Sequence, residues 1–167
     1  MWLLAKNLLF TLVVPGSVAV YLPLWIAVAD TPGPTAAVAL ASLAFALGAA
    51  IYAWCVWDFA TFGRGTPAPI DAPSKLVIRG LYRSVRNPMY VGVLCVILGW
   101  ALFYTSPQLL LYGAIVWTIF NGFVVLYEEP HLREEFATEY SEYCTQVGRW
   151  LPRRRPTPRA EGSDPDS

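Results

Sequence analysis

The sequence predicts an all-α, polytopic membrane protein: four transmembrane helices followed by an amphipathic helix on the cytoplasmic side. Three observations predict it. Hydrophobic residues make up 56% and charged residues 14%, where soluble domains carry about 25% charged residues. Residues 7–29, 36–57 and 87–127 hold no charged side chain; runs of roughly 20 apolar residues match a hydrocarbon core of about 30 Å. Lys and Arg sit before the first run, between the second and third, and after the last, while the connections at 30–35 and 105–107 have none. Four spans put every basic residue on one side, and basic loops stay cytoplasmic, so both termini are expected there.

The first span is expected over 7–29. Its length and the lack of a small-residue cleavage pattern after it argue against a secretory leader. Pro15-Gly16 and Pro23 predict a kink. Thr31-Pro32-Gly33-Pro34 reads as a tight external turn, and the second span follows over 36–57. The connection to residue 86 is rich in Gly and Pro and opposes a long helix. The 87–127 run is too long for one helix. Thr105-Ser106-Pro107 is its one turn-like interruption, which divides it into a short third span, 89–104, and a fourth, 108–127. Beyond it, Leu132, Phe136, Tyr140, Tyr143 and Val147 fall on one face of a surface helix over 130–148. Residues 1–152 form one membrane-embedded domain, and 153–167 read as a disordered tail. Its Arg153-Arg154-Arg155 cluster suits anionic lipid headgroups or a plain stop-transfer role.

Chemistry concentrates in two places. In RGLYRSVRNPMYVG (79–92), Tyr82 and Arg86 would share a face of a helix. Asn87-Pro88 then breaks the chain where the membrane begins. The bland reading is a basic flank with an interfacial tyrosine; against it, irregular backbone at that depth must be buried in protein or line a cavity. The second place is Tyr127-Glu128-Glu129-Pro130-His131. Two carboxylates at the C-terminal end of an apolar helix would oppose its dipole, and ionisable groups beside a membrane are functional candidates. Arg86 or a cationic ligand would offset their charge, and His131 reads as an exposed helix residue. GRGTPA (63–68) fits a loose dinucleotide pattern without its strand-and-helix context, so nucleotide binding of that kind is not expected. Zero net charge offers no nucleic-acid footprint. Cys55, Cys95 and Cys144 have no metal-ligand spacing, so no metal is expected.

The ordered set Gly80, Tyr82, Arg86, Asn87, Pro88, Tyr90, Gly92, then Glu128, Glu129, Pro130, Leu132, Phe136, Tyr140, Tyr143, then Arg149, Trp150, Pro152 resembles one family. It is similar to the integral membrane methyltransferases related to isoprenylcysteine carboxyl methyltransferase and phospholipid methyltransferase. The resemblance covers about residues 62–152. It implies S-adenosylmethionine as methyl donor, a lipophilic acceptor, and a site at the cytoplasmic face of a membrane, here expected to be a bacterial inner membrane. It also implies a cofactor site lined by Tyr82, Arg86, Asn87, Pro88, Tyr90, Glu128 and Glu129, with Arg86 and Asn87 closest to the chemistry. Asn87 stands where many relatives have His and cannot titrate. An isoprenylcysteine-type carboxylate needs no base to attack; a phospholipid amine must first lose a proton. A non-enzymatic membrane protein keeping this scaffold is the alternative class.

Overall fold

The computed structural model describes residues 2–63 and 76–153, and side chains from residues 9–61 and 76–153. Among them the chain is helical: α1 (Trp2–Gly16), a π turn (Ser17–Tyr21), α2 (Leu22–Ile26), α3 (Thr35–Asp58), a second π turn (Phe59–Gly63), a 3-10 turn (Gly80–Arg83), α4 (Pro88–Tyr104), α5 (Pro107–Phe123), a third π turn (Val124–Glu128) and α6 (Glu129–Gln146). Three helical stretches are long and apolar enough to cross a membrane: Leu9–Ile26, Thr35–Thr61 and Pro107–Gln146. The apolar helix Pro88–Tyr104 is shorter, at 17 residues.

The predicted kink in the first apolar segment is a wide turn, and its cause is legible. Pro23 has no N–H to offer the carbonyl of Ala19 four residues back. The Leu22 N–H goes to the Ser17 carbonyl, a π-type bond, so Val18 loses its α-helical donor, and its π-type donor would be Pro23 again. Both freed carbonyls find side chains from other helices. Trp100 Nε1 donates to Ala19 O at 2.9 Å, and the Tyr112 hydroxyl donates to Val18 O at 2.7 Å. The irregular turn is thereby tied to α4 and α5. Ala19 also joins Val93, Ile97 and Val116 in the main apolar cluster.

α3 and α4 pack most closely, through glycines. A Cβ on Gly48 would lie 2.7 Å from the Gly92 carbonyl oxygen, and a Cβ on Gly92 3.0 Å from that of Gly48. Small residues at such crossings let backbones approach where the surroundings supply no hydrophobic drive. At the opposite end from the candidate site, the Gly33 N–H donates to Phe103 O at 2.8 Å. This pins the Thr31–Pro34 loop to the end of α4. Thr105, at φ 50, and Ser106 make the predicted hairpin turn, and Pro107 opens α5, where its missing N–H costs nothing.

Two expectations need correction. The surface helix does not start afresh at residue 130. α5 runs through the π turn Val124–Glu128 into α6, and the chain leaves helical geometry at Ala137 (φ 36, ψ −107). The wide turn accommodates Pro130, just as the turn at Ser17–Tyr21 accommodates Pro23. Glu128 and Glu129 therefore sit inside a continuous helix rather than at its negative end, and the dipole argument lapses. Tyr82 and Arg86 do not share a helix either: a single 3-10 turn ends at Arg83, and residues 84–87 are irregular. Most of the GRGTPA motif (64–68) and the tail beyond Arg153 lie outside the described residues. Arg153 itself donates to the carbonyls of Cys144 and Thr145.

Two substitutions test these devices. Trp100→Phe removes the donor for Ala19 O and is expected to cost about 1 kcal/mol. Gly48→Leu, which must push α3 off α4, is expected to cost more, of the order of 1–3 kcal/mol. Thermal unfolding in detergent reads both as lowered Tm.

Candidate active site

The site forms where α3, the 79–87 segment, α4, the α5–α6 junction and the C-terminal segment meet. One cavity there is lined by Tyr82, Arg86, Asn87, Tyr90, Glu128 and Glu129. Six of the seven sequence-predicted residues thus share one space. The seventh, Pro88, is buried at the first turn of α4. It fixes where the helix begins rather than lining the cavity. Its ring disfavours helical backbone at Asn87, which sits at φ −124, ψ 51. This leaves Asn87 facing the C-terminal segment, and its Nδ2 donates to Arg149 O at 3.2 Å.

Glu129 is the hub. Its carboxylate accepts from Arg149 Nε at 2.6 Å and Nη2 at 3.0 Å, the bidentate geometry that suits a guanidinium. Arg86 Nη1 lies 3.2 Å from Oε1, and the exposed Arg133 reaches Oε2 at 4.0 Å. Burial by itself would raise the Glu129 pKa; the Arg149 hydrogen bonds and the charges of Arg86, Arg149 and Arg133 outweigh it and hold the carboxyl below its usual range. Arg86 also donates to the Tyr140 hydroxyl at 3.3 Å and to Cys144 Sγ at 2.7 Å. Its Nε is buried and has no hydrogen-bond partner.

Glu128 is placed differently. It accepts the Tyr90 hydroxyl at 3.1 Å and forms no ion pair among the described residues. The cavity thus holds one carboxylate neutralised by arginines and one without a cation among the described residues. Aromatic rings wall it: Phe59 meets Tyr82 edge-on at 5.7 Å, and Tyr90 packs on Phe120 at 4.7 Å. The Tyr143 hydroxyl donates to Tyr82 O at 2.6 Å. Burial raises the pKa values of both tyrosines, so they act as neutral hydroxyls. His131 is half exposed, stacks on Tyr127 and pairs with Glu135, yet its side chain reaches the cavity rim.

Five contributors lie outside the sequence-predicted set. Arg149 and Trp150 belong to a motif already noted, but nothing in one dimension says that Arg149 reaches Glu129. Trp150 Nε1 donates to Asn121 Oδ1 of α5 at 3.0 Å. With the Arg86 N–H bond to Gly148 O at 2.9 Å, it straps residues 148–150 against Arg86 and α5. Tyr140 and Tyr143 appeared as an apolar face; their hydroxyls now bond site groups. Asp58, the last residue of α3, was not singled out. It is buried beside Gly80, whose φ of +53 and contact with Asp58 Oδ2 both exclude a side chain there. The end of α3 thus lies close against the segment carrying Tyr82, with Asp58 Oδ2 buried and without a hydrogen-bond partner among the described residues.

Fold and site together define a helical bundle with long apolar helices and a buried, charged pocket at one end. Residues 36–139 match the phospholipid methyltransferase family, and the chain belongs to that family. Three curated relatives match a shorter region. A "Probable protein-S-isoprenylcysteine O-methyltransferase" of Oryza sativa subsp. indica is 34% identical over 79 residues, 47% of this chain and 41% of the relative. The Arabidopsis thaliana protein-S-isoprenylcysteine O-methyltransferase B is 32% identical over 79 residues, 47% and 40% of the two chains. The Saccharomyces cerevisiae protein-S-isoprenylcysteine O-methyltransferase is 33% identical over 83 residues, 49% and 34%. The matches therefore span about two fifths or less of these relatives' lengths. No solved structure matches the chain.

The Glu129 hub makes the strap pH-dependent. Glu129 is more acidic folded than its ordinary value, so the attachment is present above the ordinary carboxylate range. It is lost as pH falls through the lowered value. Hydrogen-exchange protection at residues 147–153, taken relative to the intrinsic rate at each pH, is expected to be high at neutral pH and to fall on acidification, and to be low at every pH in Arg149→Ala.

Proposed function

We propose that this protein is a membrane methyltransferase that uses S-adenosylmethionine to methylate a lipophilic acceptor, with an isoprenylcysteine-type carboxylate as the leading acceptor class. The observation that carries the reading is the pairing, in one cavity, of a buried arginine with a free Nε and a carboxylate without a cation. That donor set fits the methyl donor: Arg86 suits its carboxylate, Glu128 its amino group or sulfonium charge, and Tyr82, Tyr90 and Phe59 offer aromatic faces to a cation or a base. When bound, the donor supplies an electrophilic methyl group on sulfur. The chain contributes alignment and exclusion of water, which in-line displacement needs more than acid–base groups. Asn87 holds the Arg149 carbonyl, and through it the strap, in place beside the site; it moves no proton. A carboxylate acceptor arrives already ionised.

A second acceptor class has one observation in its favour. A phospholipid amine must lose a proton before it attacks, and Glu128, unpaired with any cation, is positioned to accept it. The family match, by its description, agrees with that class, and the relatives' names agree with the first.

In this reading Pro88–Tyr104 is a fourth span, short because it carries the site at one end. All four spans then place both termini, α6 and the site in the cytoplasm, as the basic residues demand. A bacterial inner membrane is the setting we infer. An impermeant thiol reagent applied from outside should label Thr31→Cys and spare Gln146→Cys; labelling of both from one side would refute four spans.

Calorimetric titration of the detergent-purified protein tests the cofactor. Binding of S-adenosylmethionine is expected, weakened about tenfold or more by Arg86→Ala and by Glu128→Gln. That factor corresponds to a lost charged hydrogen bond of about 1.5–3 kcal/mol. Absence of binding at millimolar ligand would favour a non-enzymatic scaffold. A radiolabelled methyl-transfer assay on prenylcysteine analogues and on phosphatidylethanolamine then separates the acceptors. Only the amine should lose its rate in Glu128→Gln by more than the loss of cofactor affinity explains.

A further inference from the structure

A second cavity lies deeper in the apolar part of the bundle, outside the site. It has a volume of about 370 Å3 and separates α1 and its π turn from α3 and α4. Thr11, Pro15 and Ala19 form one wall, and Ala49, Tyr52 and Val96 line the others. Its origin is the same irregularity that shapes the first apolar segment. The π turn packs on Val93 and Ile97, while the preceding half of α1 diverges and leaves Leu9, Leu12, Val13 and Val14 largely exposed.

The lining is apolar except for Thr11, Tyr21 and Tyr52; the Thr11 and Tyr52 hydroxyls bond each other at 3.0 Å, and Tyr21 is an exposed residue, 57% accessible. A buried water needs two to four polar partners, and a lining with three hydroxyls, two of them bonded to each other, does not supply a set of waters that would fill a space of this size. An empty space of this size forfeits the dispersion contacts of every atom around it. The surroundings of these helices are hydrocarbon, so the low-cost filling is an alkyl chain. The way in is also decided. Tyr52 is the lining residue of α3 nearest the site, and Thr11 is the first lining residue of α1. Their hydroxyl bond links the two helices at the site end of the cavity, so a chain enters sideways from the bilayer rather than down from the site.

We propose that this cleft is a binding site for one acyl chain of a bilayer phospholipid, separate from the acceptor site and serving as the missing packing between α1 and the α3–α4 pair. The lipid bears on the site through α3. Tyr52 lies one turn from Cys55, which adjoins the Tyr82 hydroxyl, and one further turn on is Phe59 of the cavity wall.

The test uses the full chain in phosphatidylcholine vesicles containing a phosphatidylcholine with a photoactivatable diazirine near the end of one acyl chain. Labelled peptides are quantified by mass spectrometry, so the readout is independent of methyl transfer and survives failure of the functional proposal. Label at residues 11–20, 49–52 and 92–96 is expected several-fold above label on the outward face of α3 and α5 at Leu43, Leu47, Leu111 and Ile119. It is expected to fall to the level of that face when Ala49→Phe fills the cleft, and to stay unchanged when a farnesylcysteine analogue is added. Uniform label would overturn the proposal, as would undiminished label in Ala49→Phe. Displacement by the farnesylcysteine analogue would also overturn it, by assigning the cleft to the acceptor. Should Ala49→Phe fail to fold, Val96→Phe fills the same space from α4 and is read the same way.

Discussion

The carboxylate of Glu129 joins three parts of the chain that sequence keeps far apart. Arg86 belongs to the segment before α4, Glu129 to the α5–α6 junction, and Arg149 to the segment after α6. A buried carboxylate costs several kcal/mol unless it is paired and hydrogen-bonded. Here the bidentate Arg149 contact and the Arg86 contact supply that pairing. Removing either arginine weakens that pairing, so the segment before α4, the strap and the α5–α6 junction are coupled through one carboxylate. The same pairing divides the labour of the adjacent carboxylates. Glu129 is committed to ion pairs, while Glu128 among the described residues accepts a tyrosine hydroxyl and pairs with no arginine.

A second constraint acts through the backbone. Carbonyls freed inside an apolar medium must find donors within the protein. Pro23 frees two, and the chain answers with Trp100 and Tyr112. Pro130 follows a π turn in the same way. These prolines are not faults in the helices. They decide which helices must meet, because the donors lie on other elements. The diverging start of α1, and the cleft beside it, follow from the first of these turns.

Much of the site was readable because it lies in two compact motifs. Arg86-Asn87-Pro88 and Glu128-Glu129 are conspicuous at the ends of apolar runs, and six predicted residues do line one cavity. Asp58 was not readable: a single acid after an apolar run looks like a solvated helix end until Gly80 is seen against it. Arg149 and Trp150 were visible as a motif, but their partners lie 20 and 29 residues away with no periodicity linking them. The continuity of α5 into α6 was misjudged because a proline normally ends a helix. One-dimensional patterns give no sign of a wide turn that absorbs it.

By itself the sequence determined the medium and the repertoire: apolar runs long enough to span hydrocarbon, basic residues on alternate connections, and two polar motifs at their borders. These are properties of composition and spacing, set by the cost of placing charge in an apolar phase. Only the tertiary structure decided which carboxylate the described arginines pair and which they do not, where the broken backbone finds its donors, and where a cleft remains between α1 and the α3–α4 pair. Each of these depends on distances of a few ångströms between segments remote along the chain. Hydrogen bonds and ion pairs act over those distances, and sequence order does not encode them.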